Sequence, residues 1–88
     1  DETDDKSQVL QAAFSQEEIL ETVSKLPVKQ RIVFNLYVVE HYSHAKIAET
    51  LGISVANSKV LLSRARAELQ QRLLVLARKK NKITHNTP

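Results

Sequence analysis

The only glycine in this chain of 88 residues, Gly52, stands between two segments whose apolar residues recur at helical spacing. Ser43 is placed to cap the first segment, HAKIAETL, and Ser54 is placed to cap the second. A helix commonly ends in a left-handed residue, and glycine adopts that backbone conformation without steric cost. The spacing therefore predicts a helix, a tight turn at Gly52 and a second helix.

The segment SQEEILETVSK has the pattern of a capped helix. Ser15 and Glu18 form a capping-box pair, and acidic side chains fill the first turn, where the helix dipole favours them. Ile19, Leu20 and Val23 are predicted to lie on one side of it. This helix would begin the folded part of the chain.

Pro27 is predicted to stop that helix and to occupy the first position of the next, VKQRIVFNLYVVEHY. Its β-branched residues would suit a strand, but no glycine or hairpin turn offers a partner strand. The apolar residues recur at spacings of four, four and three, namely Val28, Ile32, Leu36 and Val39. We therefore predict a helix.

The two segments around Gly52 have apolar faces of helical period. Ile47, Ala48 and Leu51 are predicted to form the inner face of the first, with Ala48 small enough for the second helix to cross close to it. The second helix is predicted to run to about Arg78, with an apolar series of Leu62, Ala65, Leu69, Leu73 and Leu76. The expected fold is all-α: a small bundle of four helices that contains a helix-turn-helix and a long C-terminal recognition helix.

Composition excludes several function classes. The absence of cysteine excludes disulfides and thiolate chemistry, and a single glycine excludes glycine-rich phosphate loops. The three histidines, His41, His44 and His85, have no carboxylates at metal-ligand spacing. No apolar run is long enough for a membrane span. We therefore expect a cytoplasmic protein without enzyme activity, cofactor, metal or membrane partner.

The charge is unevenly distributed along the chain. Residues 1–24 hold seven acids and one lysine, a net −6, whereas residues 25–88 hold twelve Lys and Arg and three acids, a net +9. The basic charge thus coincides with the predicted helix-turn-helix. This pattern indicates a polyanionic partner for the basic part.

A helical projection of the second helix separates two faces. One gathers mainly apolar residues, namely Ser58, Leu61, Leu62, Ala65 and Leu69, and we expect the Ser58 hydroxyl to bond to a carbonyl one turn earlier. The other has a small centre with polar and basic margins, namely Ala56, Val60, Ser63 and Ala67 beside Asn57, Lys59, Arg64 and Arg66. A small centre permits close approach to base edges, and the marginal cations suit phosphates.

The segment LPVKQRIVFNLYVVEHYSHAKIAETLGISVANSKVLLSRARAELQQRL resembles region four of bacterial RNA polymerase sigma factors, most closely the extracytoplasmic-function group. The matching marks are Leu26-Pro27, Arg31, the run from Ser43 to Ala48, Leu51-Gly52-Ile53-Ser54, Ser63-Arg64-Ala65-Arg66 and Leu69. The resemblance covers roughly residues 15–73. It implies a four-helix domain that reads the minus-35 promoter element and docks on the flap of the polymerase β subunit, with an anti-sigma factor as a further partner.

By that resemblance, Ser43 and His44 meet backbone phosphates. The residues of the second helix that face DNA are Val55, Ala56, Asn57, Lys59, Val60, Ser63 and Arg64, which we call the reading face. The chain departs from the family where Ala56-Asn57-Ser58 replace the usual Gly-Thr-Val and Val60-Leu61 replace the frequent Ser-Arg. The arginine missing at Leu61 predicts weaker and less salt-sensitive DNA binding.

The predicted organisation has three parts: an acidic flexible linker over residues 1–14, the helix-turn-helix domain over 15–78, and a basic disordered tail over 79–88. By the resemblance, the first part ends the linker from a minus-10-binding region. Two alternatives stay open. One is the output domain of a response regulator, and the other is a protein-interaction module that binds through a stripe of Leu69, Leu73, Leu74 and Leu76 without reading DNA.

Overall fold

The structure, a computed structural model, describes residues 13–85, and their side chains as far as Lys80. These residues form four α-helices and one π-helical segment: α1 (Gln16–Ser24), α2 (Val28–Phe34), the π segment (Asn35–Val39), α3 (His44–Leu51) and α4 (Val55–His85). No strand occurs in this described part, so the predicted all-α fold is confirmed. Residues 1–12 of the predicted linker and 86–88 of the predicted tail lie outside it.

Three serines begin helices as the sequence predicts. At α1 the Ser15 hydroxyl accepts from the Glu18 N–H at 3.1 Å, and the Glu18 carboxylate accepts from the Ser15 N–H at 2.9 Å, a complete capping box. Ser43 accepts from the N–H of Lys46 at α3, and Ser54 accepts from a first-turn N–H of α4. These bonds satisfy N–H groups that the helices themselves leave unpaired.

Gly52 forms the predicted left-handed turn, with φ 69° and ψ 35°. The N–H groups of Gly52 and Ile53 both donate to the carbonyl of Ala48, which closes the last turn of α3. A Cβ added at Gly52 would meet no atom within 4 Å. The requirement for glycine here is therefore conformational, because the backbone lies where side chains are disfavoured.

The helix after Pro27 ends in an irregular way that the sequence pattern did not reveal. Pro27 itself is the N-cap rather than the first helical residue. After Phe34 the chain widens into the π segment, in which the Glu40 N–H donates to the Asn35 carbonyl at 3.1 Å, and it stops at His41, whose φ is 63°. A π turn places one extra residue in the helix, and such turns are frequent at functional sites.

The apolar series that predicts a helix after Pro27 is not the face that this helix buries. Three residues of the predicted series are exposed: Val28 to 58%, Ile32 to 39% and Val39 to 56%. Val33 is fully buried instead. Val28 and Ile32 precede the π segment, so their exposure reflects packing and not a change of register. The π segment shifts the register only from Asn35 onward, which includes Val39. Tertiary packing selects Val33 because it meets α3 and α4.

Helix α4 carries residues of both core clusters. Ala65 packs with Val23 and Leu26 in one, and Leu62 packs with Val33 and Ile47 in the other. Leu51, which was predicted to lie on the inner face of α3, is 37% exposed, so the prediction is wrong at this position. Leu20, predicted to lie on the same side of α1 as Val23, is 54% exposed.

The last helix is longer than predicted, because it continues past Arg78 to His85. The predicted disordered tail is thus wrong for residues 79–85, where no glycine or proline breaks the helix. Lys80 lies 2.7 Å from a Glu18 oxygen, and its ammonium lies 5.0 Å above the Phe14 ring. Phe14, assigned to the linker, is itself buried.

Candidate nucleic-acid interface

The helix-turn-helix is built from α3, the turn at Gly52 and the first half of α4. Ile47 of α3 and Leu62 of α4 are almost completely buried in one cluster with Val33. Ala48 is also buried, as its predicted place beneath the second helix requires. These contacts set the angle at which α4 leaves the turn, and so they orient its outer surface.

The structure places the whole reading face on the solvent side of α4. All seven residues are exposed: Val55, Ala56, Asn57, Lys59, Val60, Ser63 and Arg64. Val60, at the centre, has 44% of its surface exposed. An exposed valine makes no favourable interaction with water, whereas it can pack against an apolar group such as a thymine methyl.

The electrostatic character of this surface is uniformly positive. Between Glu49 and Glu68 the chain contains no acid and three cations, Lys59, Arg64 and Arg66. Lys59 and Arg64 are exposed, while Arg66 is half-buried with its guanidinium carbon 5.8 Å from the centre of the Tyr37 ring. The arrangement favours a polyanionic partner over a basic or neutral one.

The two residues predicted to meet phosphates occupy different environments. Ser43 is exposed at the N-terminus of α3, and its hydroxyl is engaged in capping. His44 is only half exposed, because its ring stacks on Tyr37 with ring centres 4.7 Å apart and planes at 25°. His44 therefore lies at the margin of the reading face, packed between α4 and the π segment.

Ser58 provides an unexpected link between the two helices. Its side chain is completely buried, and its Oγ lies 2.9 Å from Nδ1 of His44. The hydroxyl was predicted to bond to a carbonyl one turn earlier, but its partner is the imidazole of the other helix. The pair joins α3 directly to the recognition helix.

The environment of His44 favours its neutral form. Burial lowers the pKa of the imidazole below its ordinary value, and the positive charges of Lys59 and Arg66 lower the pKa further. The neutral form of His44 is therefore favoured in the free protein. An anion placed beside the ring would act in the opposite direction.

A groove runs along α4 beside the π segment, next to the reading face. Its lining includes Tyr37, His44, Lys59, Ser63, Arg66 and Gln70. Sequence analysis did not assign Tyr37 or Gln70 to the site. Tyr37 enters through the π segment, and Gln70 lies beyond the predicted reading face, so neither carries a local signal in the sequence.

None of the helices in the described residues is both long and apolar enough to cross a membrane. Within the same residues, no group of three or more His, Asp or Glu side chains is arranged to hold a metal ion.

Comparison with known proteins gives one family. A family model described as Sigma-70, region 4 matches residues 16–69, which is more than half of the chain. No curated protein and no solved structure is significantly similar to the chain. The matched range extends from the start of α1 into the middle of α4 and includes the whole helix-turn-helix.

Proposed function

The chain belongs to the sigma-70 region 4 family, whose members are DNA-binding domains for promoter recognition in transcription initiation, and on that premise we propose a specific role for it. It reads the minus-35 promoter element in the major groove and docks on the flap of the RNA polymerase β subunit. It acts in the bacterial cytoplasm as part of an extracytoplasmic-function sigma factor, with an anti-sigma factor as a further partner. Residues 15–78 form the unit that carries this role.

The main support for the proposal is the composition of the reading face, together with the packing that holds α4 in the core. Leu62 and Ala65 fix one side of α4 in the core, which leaves the opposite side free to enter a groove. That side has a small centre and basic margins. B-DNA admits an α-helix in its major groove when the contacting side chains are small enough for close approach.

Each reading-face residue has a contact that suits its chemistry. Lys59 and Arg64 meet phosphates or guanine, Asn57 meets a phosphate or adenine, and Val60 packs on a thymine methyl. Ser63 and Ala56 keep the centre narrow, and Val55 lies at the N-terminal end of the helix. At the start of α3, Ser43 and His44 meet the DNA backbone, where the helix dipole adds attraction for a phosphate.

The test is a selection of this chain against a library of random DNA duplexes at physiological salt. The proposal expects a short enriched motif of about three to six base pairs, as one recognition helix spans. Uniform and salt-sensitive binding, or no binding by the folded chain, would contradict independent reading of DNA. The same selection with Lys59→Ala checks that enrichment depends on the reading face.

Val60 provides a prediction on specificity. Val60→Ser should change which base is enriched at one position while changing affinity for mixed-sequence DNA less than threefold, because valine contributes shape rather than charge. Val75→Ser is the matched control, because Val75 has a similar exposure of 45% on the same helix and lies outside the reading face. A selected motif unchanged by Val60→Ser would remove Val60 from the reading face.

Docking on polymerase is supported by an apolar surface outside the reading face. Val28 and Ile32 are 58% and 39% exposed and lie one turn apart on α2, so they form one apolar surface. Exposure of these apolar side chains to water is unfavourable, whereas a partner helix of the polymerase would bury them. We assign this surface to the β flap.

The double change Val28→Ser and Ile32→Ser should weaken binding to bacterial core RNA polymerase at least tenfold, because two buried aliphatic contacts are lost. DNA selection by the variant should be unaffected. The matched control is Leu74→Ser with Val75→Ser, which removes a similar exposed apolar pair from α4. Equal polymerase binding by the two double variants would place docking elsewhere.

The family match favours this role over the response-regulator alternative. The alternative of a protein-interaction module is less well supported, because most of its predicted leucine stripe is buried or half-buried within the fold. Leu73 is 2% exposed and Leu69 packs against the core, so of the four leucines only Leu74 is well exposed. A stripe used within the fold is not available to a partner.

A further inference from the structure

His44 and Ser58 form a polar pair at the crossing of the two helices. Ser58 lies on the buried side of α4, with none of its side chain exposed. A buried hydroxyl without a partner costs free energy, whereas a bonded one does not. The partner is His44 Nδ1 at 2.9 Å, so the presence of a serine at this position is explained by the histidine.

The pair also fixes the orientation of the imidazole. Stacking on Tyr37 defines the plane of the ring, and the bond to Ser58 defines which nitrogen points inward. Through Nδ1 the ring is bonded to Ser58, so Nε2 on the far side is the nitrogen available to a ligand. Because His44 lines the groove beside α4, that ligand would lie in the groove.

The groove concentrates positive charge around this ring. The charged groups that face His44 are Lys59 and Arg66 from α4, and the titratable group from the π segment is the Tyr37 phenol. Without a ligand, the positive charges of Lys59 and Arg66 disfavour protonation of the His44 imidazole. With a phosphodiester in the groove, the sign of the local field reverses and a protonated imidazole becomes a charge-assisted donor.

We propose that Ser58 is a positioning residue for His44, and that the imidazole so held takes up a proton when a phosphodiester of the DNA backbone enters the groove. This inference rests on the proposed function and deepens it. It makes the affinity for DNA dependent on pH through one named residue. The proton comes from solvent, binds at one ring nitrogen and leaves when the DNA dissociates.

The direction of the effect follows from linkage. Burial and the two cations lower the pKa of His44 in the free protein, and the phosphate raises the pKa in the complex. Binding therefore takes up a proton between the two pKa values, and affinity rises as the pH falls through that interval, by at most about tenfold per pH unit for one proton. The free energy of unfolding of the free protein changes in the opposite direction. It decreases as the pH falls below the ordinary pKa of histidine, because the unfolded chain binds the proton more readily than the folded one.

The experiment measures the dissociation constant for the selected DNA duplex from pH 5.5 to 8.0 at constant ionic strength. The native chain should bind three to ten times more tightly at pH 6 than at pH 8. His44→Gln removes the titrating group and should make this profile flat. His41→Asn is the matched control, because it removes another exposed histidine and asparagine tolerates the left-handed backbone at that position.

Ser58→Val tests the positioning role. Valine suits the buried site and is the residue that the resembled family usually has there, so the fold should survive, as a melting temperature will show. The pH dependence of binding should fall to less than half of the native slope, because the ring loses the bond that orients Nε2. In parallel, the NMR titration of the His44 imidazole with and without duplex should show a larger rise in its pKa on binding in the native chain than in Ser58→Val.

The outcomes separate the two proposals. Sequence-selective binding that does not change between pH 6 and 8 would overturn the inference and leave the proposed function intact. An absence of DNA binding by the folded chain at every pH would overturn the proposed function as well. A native pH slope in Ser58→Val would show that Ser58 does not position His44. A flat profile in His41→Asn would show that His41, and not His44, takes up the proton.

Discussion

Replacing Ile47 with alanine is expected to destabilise the protein by about 2–5 kcal/mol, a large fraction of the stability of a domain of this size. The Ile47 side chain is fully buried and joins α2, α3 and α4 through its contacts with Val33 and Leu62. Its removal leaves a cavity at the point where the three helices meet. Thermal unfolding followed by circular dichroism should show a melting temperature at least 10 °C lower, or an unfolded chain.

Leu51→Ala is the matched control for Ile47→Ala. Both residues lie on α3 and were predicted to face inward, but Leu51 is 37% exposed. Its replacement should cost about 1 kcal/mol, less than the loss at Ile47, because part of the Leu51 side chain is already in water. Comparable losses in the two variants would mean that α3 packs in another register.

Alanine at Lys59 or Arg64 is expected to weaken binding to the selected duplex by about 1–3 kcal/mol each, roughly five- to 150-fold. Both side chains are exposed at the margins of the reading face, and their cationic ends have no acidic neighbour between Glu49 and Glu68. The melting temperature should not change, because neither side chain is part of the core. Fluorescence anisotropy with the selected duplex measures the loss.

The salt dependence distinguishes the roles of the two cations. A lysine that contacts a phosphate should, when removed, reduce the salt slope by about one and weaken all sequences alike. An arginine that contacts guanine should weaken the selected duplex more than mixed-sequence DNA. Lys79→Ala is the control, because Lys79 is an exposed cation on the same helix far from the reading face. Native affinity in both Lys59→Ala and Arg64→Ala would show that α4 meets DNA through another surface.

Local chemistry was sufficient to predict where the helices begin and how the central turn is made. The side chains of Ser15, Ser43 and Ser54 cap the helices that follow them, and Gly52 has the left-handed backbone predicted for it. Each of these features depends on atoms within about four residues along the chain. Such features can be identified from a sequence because no distant part of the molecule is needed to form them.

The face that each short helix buries was less well predicted. Leu20, Leu51 and Ile32 are as apolar as their buried neighbours, yet all three are exposed. A helix with apolar residues on more than one side has several acceptable faces, and the packing partners select one of them. After α2 the π segment adds a further change of register, which periodicity analysis based on regular helices does not include.

The candidate site likewise has some features that the sequence predicts and others that depend on tertiary packing. The exposure of all seven reading-face residues follows from the period of α4, because an apolar stripe on one side leaves the other side outward. The contact between His44 and Ser58 joins residues 14 positions apart on different helices, and stacking on Tyr37 depends on the π segment. No local pattern indicates either contact.

Sequence was thus enough for the all-α class, the caps, the left-handed turn and the basic outer surface of α4, since periodicity, side-chain capping and charge act over short distances along the chain. Packing in three dimensions decided that Val33 rather than Ile32 is buried and that Lys80 meets Glu18. It also brought His44, Ser58 and Tyr37 together. These contacts arise only once the helices have packed, because their partners are distant in sequence and meet through the relative positions of whole helices.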